Sequence, residues 1–233
     1  GILSGTIVLA HNSEPTGETE LSGQADPGSS ANLAVSPTGW DGPTSRGRWE
    51  EIDANSNLTI DFGFIPVFSL GNRVWFDTNN SSTINGGESG VNNVRVRLYA
   101  SDGVTEILVG PDGILNTADD AVGGMLTAGG GYYRFNNLLA GDYVVVIPST
   151  NFGTGGTLRG YWSSATTISA AGVISETTAA LANSDTDSDD NGTLSSGAVV
   201  SSVVTLGSTI TSEPAGETNL SGGQGQPDRQ ANM

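Results

Sequence analysis

The sequence contains no cysteine and no lysine, and only one histidine and two methionines. Without cysteine there is neither a disulfide framework nor a thiol site. With His11 as the sole imidazole, Ser-His-Asp and Cys-His arrangements fail for want of parts, and so does zinc chemistry. His11 itself reads as an ordinary residue of a strand-like tail. Paired carboxylates for glycoside hydrolysis remain arithmetically available, but the acids cluster within short loops rather than on two sides of a cleft. No apolar run approaches the roughly 20 residues that a membrane helix needs, so no membrane insertion is expected. The opening "GILSGTIVLAHNSEP" has no basic start and soon turns polar, so it reads as the interior of something longer rather than as a signal peptide.

Positive charge is nearly as scarce. Eight basic residues, all arginine, face 25 acidic ones, for a net charge of −17. Such a chain cannot neutralise phosphates, which excludes nucleic acid and anionic lipid as partners and favours cations. What is present is glycine, 34 residues of it, and a 36% hydrophobic content in 233 residues. That is enough for one or two cores of ordinary size.

The chain repeats itself. "SEPTGETELSG" at Ser13–Gly23 returns as "SEPAGETNLSG" at Ser212–Gly222, offset by 212 − 13 = 199. "DANSNL" at Asp53–Leu58 resembles "DRQANM" at Asp228–Met233, offset by 228 − 53 = 175. The difference, 199 − 175 = 24, is an insertion in the first copy, a loop over about residues 28–52. After Leu58 the first copy continues "TIDFGFIP", a short alternating strand. Residues 1–66 therefore read as the C-terminal portion of one module, and 67–233 as a second module lacking its last strand.

Within 67–233 the hydrophobic period is two rather than 3.6. Strands are expected at Leu70–Phe76, Val91–Tyr99, Tyr132–Phe135, Tyr143–Ile147 and Val199–Leu206, with weaker ones near Tyr161–Ile168 and Val173–Thr177. The turn signals "NGGESG", "SDG", "AGGG" and "LAGD" punctuate the gaps. Many short strands with glycine-rich turns predict an all-β sandwich. Trp75 and Trp162 are expected to pack inside it. Trp40 and Trp49, beside Arg46 and Arg48 in the inserted segment, either cover a small core or stack on a sugar or a partner protein.

"SLGNRVWFDTNNSSTINGGESGVNNVRVRLYA", followed by "GGGYYRFNNLLAGDYVVVIP", resembles the B-type repeat domains of serine-aspartate-repeat surface proteins. These are relatives of the collagen-adhesin B modules. "NLTIDFGF" is similar to the last strand of the same module. The resemblance implies an immunoglobulin-like, prealbumin-like β-sandwich, tandem modules, an extracellular or cell-surface location, and calcium (Ca2+). Many such modules carry an internal lysine–asparagine crosslink. Without lysine that crosslink cannot form here.

Read on its own, "DTNNSSTINGGE" agrees with calcium. Asp77, Asn79 and Ser81 occupy positions 1, 3 and 5 of a calcium-loop pattern. Thr83 at position 7 offers its carbonyl, and Glu88 at position 12 can bind bidentately. Two departures weaken the pattern: position 6 is Ser82 instead of glycine, and position 5 is a neutral serine. A carboxylate from elsewhere would strengthen such a site. The competing reading is a solvated Asx-rich loop. Two further clusters are metal candidates: Asp112, Asn116, Asp119 and Asp120 in "GPDGILNTADD", and Asp185, Asp187, Asp189 and Asp190 in "NSDTDSDDNG". Crowding that many carboxylates without a cation costs roughly 1 kcal/mol or more per neighbouring pair at 4 Å. The alternative for these is an acidic loop.

These readings converge on a non-catalytic extracellular structural protein: calcium-stiffened sandwich modules in a stalk or a self-assembling fibre. Its partners would be neighbouring modules or head-to-tail copies of itself, with a surface glycan or protein ligand as a further expectation. The alternatives are an adhesive ligand-binding module and an accessory module of a secreted polysaccharide-degrading enzyme.

Overall fold

The computed structural model describes residues 2–7, 62–177, 189–207 and 231–232. The chain divides into two units, Gly1–Phe64 and Ile65–Met233. The inserted loop with Trp40 and Trp49, His11, Asp185 and Asp187 all lie outside the described residues. Of the expected strand Leu58–Phe64, only Phe62–Phe64 is described, and it lies in no strand.

The second unit is all-β among its described residues, apart from one 3-10 turn at Ser149–Asn151. Its strands are β1 (Phe68–Arg73), β2 (Arg95–Ala100), β3 (Glu106–Ile107), β4 (Met125–Leu126), β5 (Tyr132–Leu138), β6 (Gly141–Ile147), β7 (Thr166–Ile168), β8 (Ile174–Glu176), β9 (Gly192–Ser195), β10 (Ala198–Ser201), β11 (Val204–Leu206) and β12 (Ala231–Asn232). One sheet runs β12-β1-β5 and the other β3-β2-β6-β10-β9, with β11 also on β6 and β4 on β2. β7 and β8 form a separate hairpin. The expected all-β sandwich is what forms, two sheets around one core.

Period two is what builds it. Val94, Val96 and Leu98 alternate inward with no exposure, and meet Phe68, Leu70, Phe135 and Leu138 from the opposite sheet. Burying each such side chain is worth about 1.5–3 kcal/mol. Leu206 on β11 and Val145 on β6 complete the layer.

Within 67–233 the expected strands appear with shifted bounds. Pairing stops at Arg73 because the chain then turns into a crossing, where Val74 donates to Gly131 and Trp75 bridges Gly90. Val91–Tyr99 shrinks to β2 because Thr127 takes over at its start. The buried Thr127 hydroxyl donates to the Val91 carbonyl (2.6 Å) and accepts from the Val94 amide (3.0 Å). Val199–Leu206 splits into β10 and β11, both on β6. At the end of β10 the Ser201 hydroxyl accepts from the Val145 amide at 3.0 Å, so a side chain replaces a ladder bond. Trp162 corrects an expectation. It is 59% exposed, outside the core, while Trp75 is half-buried.

Asn151 ties the 3-10 turn to β2. Its Oδ1 accepts from the Arg95 amide (2.9 Å), and its Nδ2 donates to the carbonyls of Arg95 (2.9 Å) and Pro148 (3.1 Å). A buried amide side chain thereby pairs with a backbone edge as another strand would.

Candidate calcium site

The loop Asp77–Glu88 leaves the end of the β1 crossing and is pinned at its base. The Phe76 amide donates to the Ser89 carbonyl at 2.9 Å, beside the Trp75–Gly90 bridge. Asp77 opens the loop and folds it back. Its Oδ1 accepts from the Ser81 amide (3.0 Å) and its Oδ2 from the Ser82 amide (2.8 Å). Glu88 closes it, with Oε1 accepting from the Thr78 amide (2.8 Å) and hydroxyl (3.1 Å), and Oε2 from the Asn85 amide (2.9 Å).

Position 6 of the pattern needs left-handed backbone, which is why glycine is usual there. Ser82 adopts it all the same, with φ +59°, as does Asn80 at +56°. The departure noted in the sequence leaves the turn in place and loads it with backbone strain.

The side chains then converge. Asn85 Nδ2 stands 2.6 Å from Ser81 Oγ, 3.0 Å from the Thr83 carbonyl and 3.4 Å from Asn79 Oδ1. Positions 3, 5 and 7 of the loop thus direct their oxygens at one point, around the amide of position 9. These are neutral oxygens of the kind that suit a hard cation. The residues therefore fit calcium: Asn79, Ser81 and Thr83 would hold it, with Asp77 and Glu88 on either side. Among the described residues, no three acidic, histidine or cysteine side chains gather as a metal cluster on their own.

A second segment docks on the loop. The Asp190 amide donates to the Ser82 carbonyl at 2.9 Å, and Thr83 bridges Asp189, which is buried. Asp189 and Asp190, read from the sequence as a separate cluster, thus stand against the first loop. Burial pushes the Asp190 carboxyl up to about 6; the Gly192 amide opposes this, while the charges of Glu176, Asp77 and Asp189 add to it. At Asp77 burial works against the charge, but the amides of Ser82, Ser81 and Asn80 and the Ser164 hydroxyl outweigh it and hold the carboxyl below its usual value. The Asn85 amide, with help from Thr78, depresses Glu88, although partial desolvation and the Asp77 charge oppose it. Glu176 accepts a short hydrogen bond from the Leu194 amide.

The Asp112–Asp120 cluster closes on backbone. Asp112 accepts from the Ile114 amide (2.8 Å), and Asp120 from the amides of Asn116 (2.7 Å) and Thr117 (3.1 Å). The Thr117 hydroxyl lies 2.6 Å from Asp119 and 3.1 Å from Asp120, and so joins those two carboxylates. Asn116 contributes left-handed backbone, φ +69°.

Two participants had no part in the sequence reading. Asn85 carried a signal, since it stands at position 9 of the loop pattern. Glu176 carried none: it sits alone on a short strand and reaches the Asp190 neighbourhood only through the fold. A cavity of about 540 Å³ lies beside the site, lined by Trp75, Tyr133, Val145, Ile147, Tyr161 and Asp190 among others.

Fold and loop together define the class, an all-β sandwich module whose first loop gathers oxygens from alternating positions. Residues 68–216, more than half of the chain, match the SdrD B-like domain, and the chain belongs to that family. It is 34% identical over 99 residues to a fibrinogen-binding protein of Staphylococcus epidermidis, a stretch covering 42% of this chain and 8% of that one. It is 33% identical over 107 residues to the serine-aspartate repeat-containing protein E of Staphylococcus aureus, covering 45% of this chain and 8% of that one. The aligned part thus spans under a tenth of these relatives. A minor pilin of Streptococcus agalactiae, GBS52, matches with a TM-score of 0.29 and 20% identity, covering 47% of this chain and 38% of that one. The chain is extracellular or at the cell surface.

Proposed function

We propose that the chain is a structural, non-catalytic part of a surface stalk or fibre, in which calcium stiffens loops that have little core of their own. The observation that carries this reading is the meeting of Asn79 Oδ1, Ser81 Oγ and the Thr83 carbonyl around Asn85 Nδ2, all within 3.4 Å. Loops with no buried apolar side chain gain little from the hydrophobic effect, and a cation binding only the folded state supplies what is missing. Asp189 and Asp190, packed against the same loop, are the carboxylates from elsewhere that its low formal charge calls for. Asp112, Asn116, Asp119 and Asp120 form a second candidate, and Asp185 and Asp187 belong to the proposal on sequence alone. Neighbouring modules or copies of the chain are the partners.

Equilibrium dialysis against calcium, with thermal melts in calcium and in chelator, tests the proposal. Binding to the folded state at a hundredfold excess over Kd adds about 2.7 kcal/mol per site. Chelator should lower Tm and magnesium should restore it poorly. Asp77→Ala with Glu88→Ala should remove one bound ion and leave the sandwich folded. A melting curve indifferent to chelation would sink the reading.

A second reading is an adhesive module. It is favoured by the exposed Tyr161 and Trp162 beside the cavity, with Tyr161 stacked on Phe76 at 4.5 Å. Saturable binding of a protein or glycan ligand, lost in Tyr161→Ala with Trp162→Ala, would select it.

A further inference from the structure

We propose that Asn85 is a site of spontaneous modification. Its side-chain amide condenses with the backbone nitrogen of Gly86 and leaves as ammonia, so that the loop acquires a carboxylate at position 9. The modification stands on its own geometry, while its consequence for metal binding rests on the calcium reading above.

The Gly86 nitrogen gives its proton to water and bonds to Asn85 Cγ. The Cγ–Nδ2 bond breaks, and that nitrogen takes up a proton and departs as ammonia. One water then opens the resulting cyclic imide. Hydrolysis at Cγ leaves an aspartyl residue. Hydrolysis at the main-chain carbonyl of position 85 leaves an isoaspartyl residue, in which the backbone runs through the former side chain. Water is the sole co-reactant.

Glycine obstructs this attack least, because it has no Cβ beside the nucleophilic nitrogen. The chain has two Asn-Gly pairs, Asn85-Gly86 and Asn191-Gly192, and the fold places them in opposite circumstances.

At the first pair, the Glu88 amide donates to the Asn85 carbonyl at 3.2 Å, and Gly87 has φ +98°. This is the pattern of a type II turn, with Gly86 at its second position, whose N–H takes no part in the turn's hydrogen bond. Among the described residues the Gly86 amide has no hydrogen-bond acceptor, and a Cβ built on Gly86 would meet nothing within 4 Å. Asn85 and Gly86 are both exposed. To reach Gly86, the Asn85 amide gives up only its exposed bonds to Ser81 Oγ and the Thr83 carbonyl, and water recovers part of their worth.

At the second pair the nitrogen is occupied. The Gly192 amide donates to Asp190 Oδ1 at 3.0 Å. Gly192 opens β9 and is fixed opposite Ser201 on β10. A Cβ built there would lie 2.4 Å from Val199 Cγ1, so the backbone is closely packed. Ring closure at Asn191 therefore waits on local opening of the sheet edge.

The two products act differently on the loop. An aspartyl carboxylate adds ligand charge at position 9, and more ligand charge tightens calcium loops. An isoaspartyl residue instead inserts a methylene into the main chain between Thr83 and Glu88. It thereby shifts Glu88 relative to the oxygens of Asn79, Ser81 and Thr83, and loosens the site.

The test incubates the metal-free 233-residue protein in mildly alkaline buffer and follows both pairs by peptide mapping with mass spectrometry. Asn85 should convert at least about tenfold faster than Asn191, which reacts only from opened states. In urea the two rates should approach each other. Gly86→Val enters open space, so the sandwich should stay folded while its β-branched side chain brings conversion at position 85 down to the level of Asn191. Equal rates at the two pairs in the folded protein overturn the proposal, as does a Gly86→Val variant that converts as fast as wild type. The converted fraction carries one negative charge beyond −17 and separates by ion exchange. It should bind calcium in two classes, one about tenfold tighter than unmodified protein and matching Asn85→Asp, the other weaker. Conversion at Asn85 in a chain that binds no calcium overturns the calcium reading alone. Calcium binding in a chain whose Asn85 stays intact overturns this inference alone.

Discussion

Asn85→Asp turns the convergence of the loop oxygens into a test with opposite signs in two buffers. Asn85 Nδ2 donates toward Ser81 Oγ at 2.6 Å and the Thr83 carbonyl at 3.0 Å, and holds Asn79 Oδ1 at 3.4 Å. A carboxylate there loses both good donor contacts and faces oxygens instead. Each net hydrogen bond is worth about 0.5–1.5 kcal/mol, and the loop is exposed, so water recovers part of it. The net loss is about 1–2 kcal/mol, or roughly 2–8 °C in Tm for a chain of this size. Under the calcium reading the same oxygen would become a ligand in calcium, and would raise the formal charge of Asp77 plus Glu88 by one. More ligand charge tightens calcium loops, and an added unit charge near the ion should lower Kd about tenfold, or roughly 1.4 kcal/mol. Calorimetric melts of wild type and variant, each in chelator and in calcium, read both effects. The variant should melt lower in chelator and show the larger calcium-induced rise. Equal Tm losses in both buffers, with Kd unchanged, would refute the claim that these oxygens surround a cation.

Asn151→Ala strips the partners from the Arg95 amide and from the Arg95 and Pro148 carbonyls. Leaving these groups buried should destabilise by about 2–5 kcal/mol in urea unfolding, and a loss under about 1 kcal/mol would contradict the strand-like role of that side chain. Asp190, raised to about 6 in the folded chain against an ordinary carboxyl near 4 when unfolded, binds its proton more tightly in the native state. Its stabilising contribution is full below about pH 4 and is lost as pH rises through about 6, some 3 kcal/mol at most. Metal-free protein should accordingly gain stability from pH 8 to pH 5, and Asp190→Asn should flatten that slope; an unchanged slope in the variant would remove Asp190 as its source.

The class of fold was legible from local pattern. Val94, Val96 and Leu98 alternate strictly, and alternation is a property of the strand itself, so sequence suffices to see it. Strand ends were not legible, because they are decided by partners distant in sequence. Thr127 replaces ladder bonds at the start of β2, and Ser201 interrupts the pairing of Val199–Leu206 with β6. The short strands β3, β4 and β9 have no hydrophobic signature of their own; they exist because a neighbour's edge offers hydrogen bonds. Trp162, apolar enough for a core, remained outside because no layer of the sandwich passes it.

The loop divides in the same way. Asp77, Asn79, Ser81, Thr83 and Glu88 were readable because their spacing follows from one contiguous turn, and consecutive residues carry that geometry with them. The packing of Asp189 and Asp190 against that turn, and the approach of Glu176, were decided by tertiary structure alone. Roughly a hundred residues separate Ser82 from Asp190, and no local pattern encodes a contact across such a distance. It arises only when the two sheets close on their common core and bring their loops to the same end.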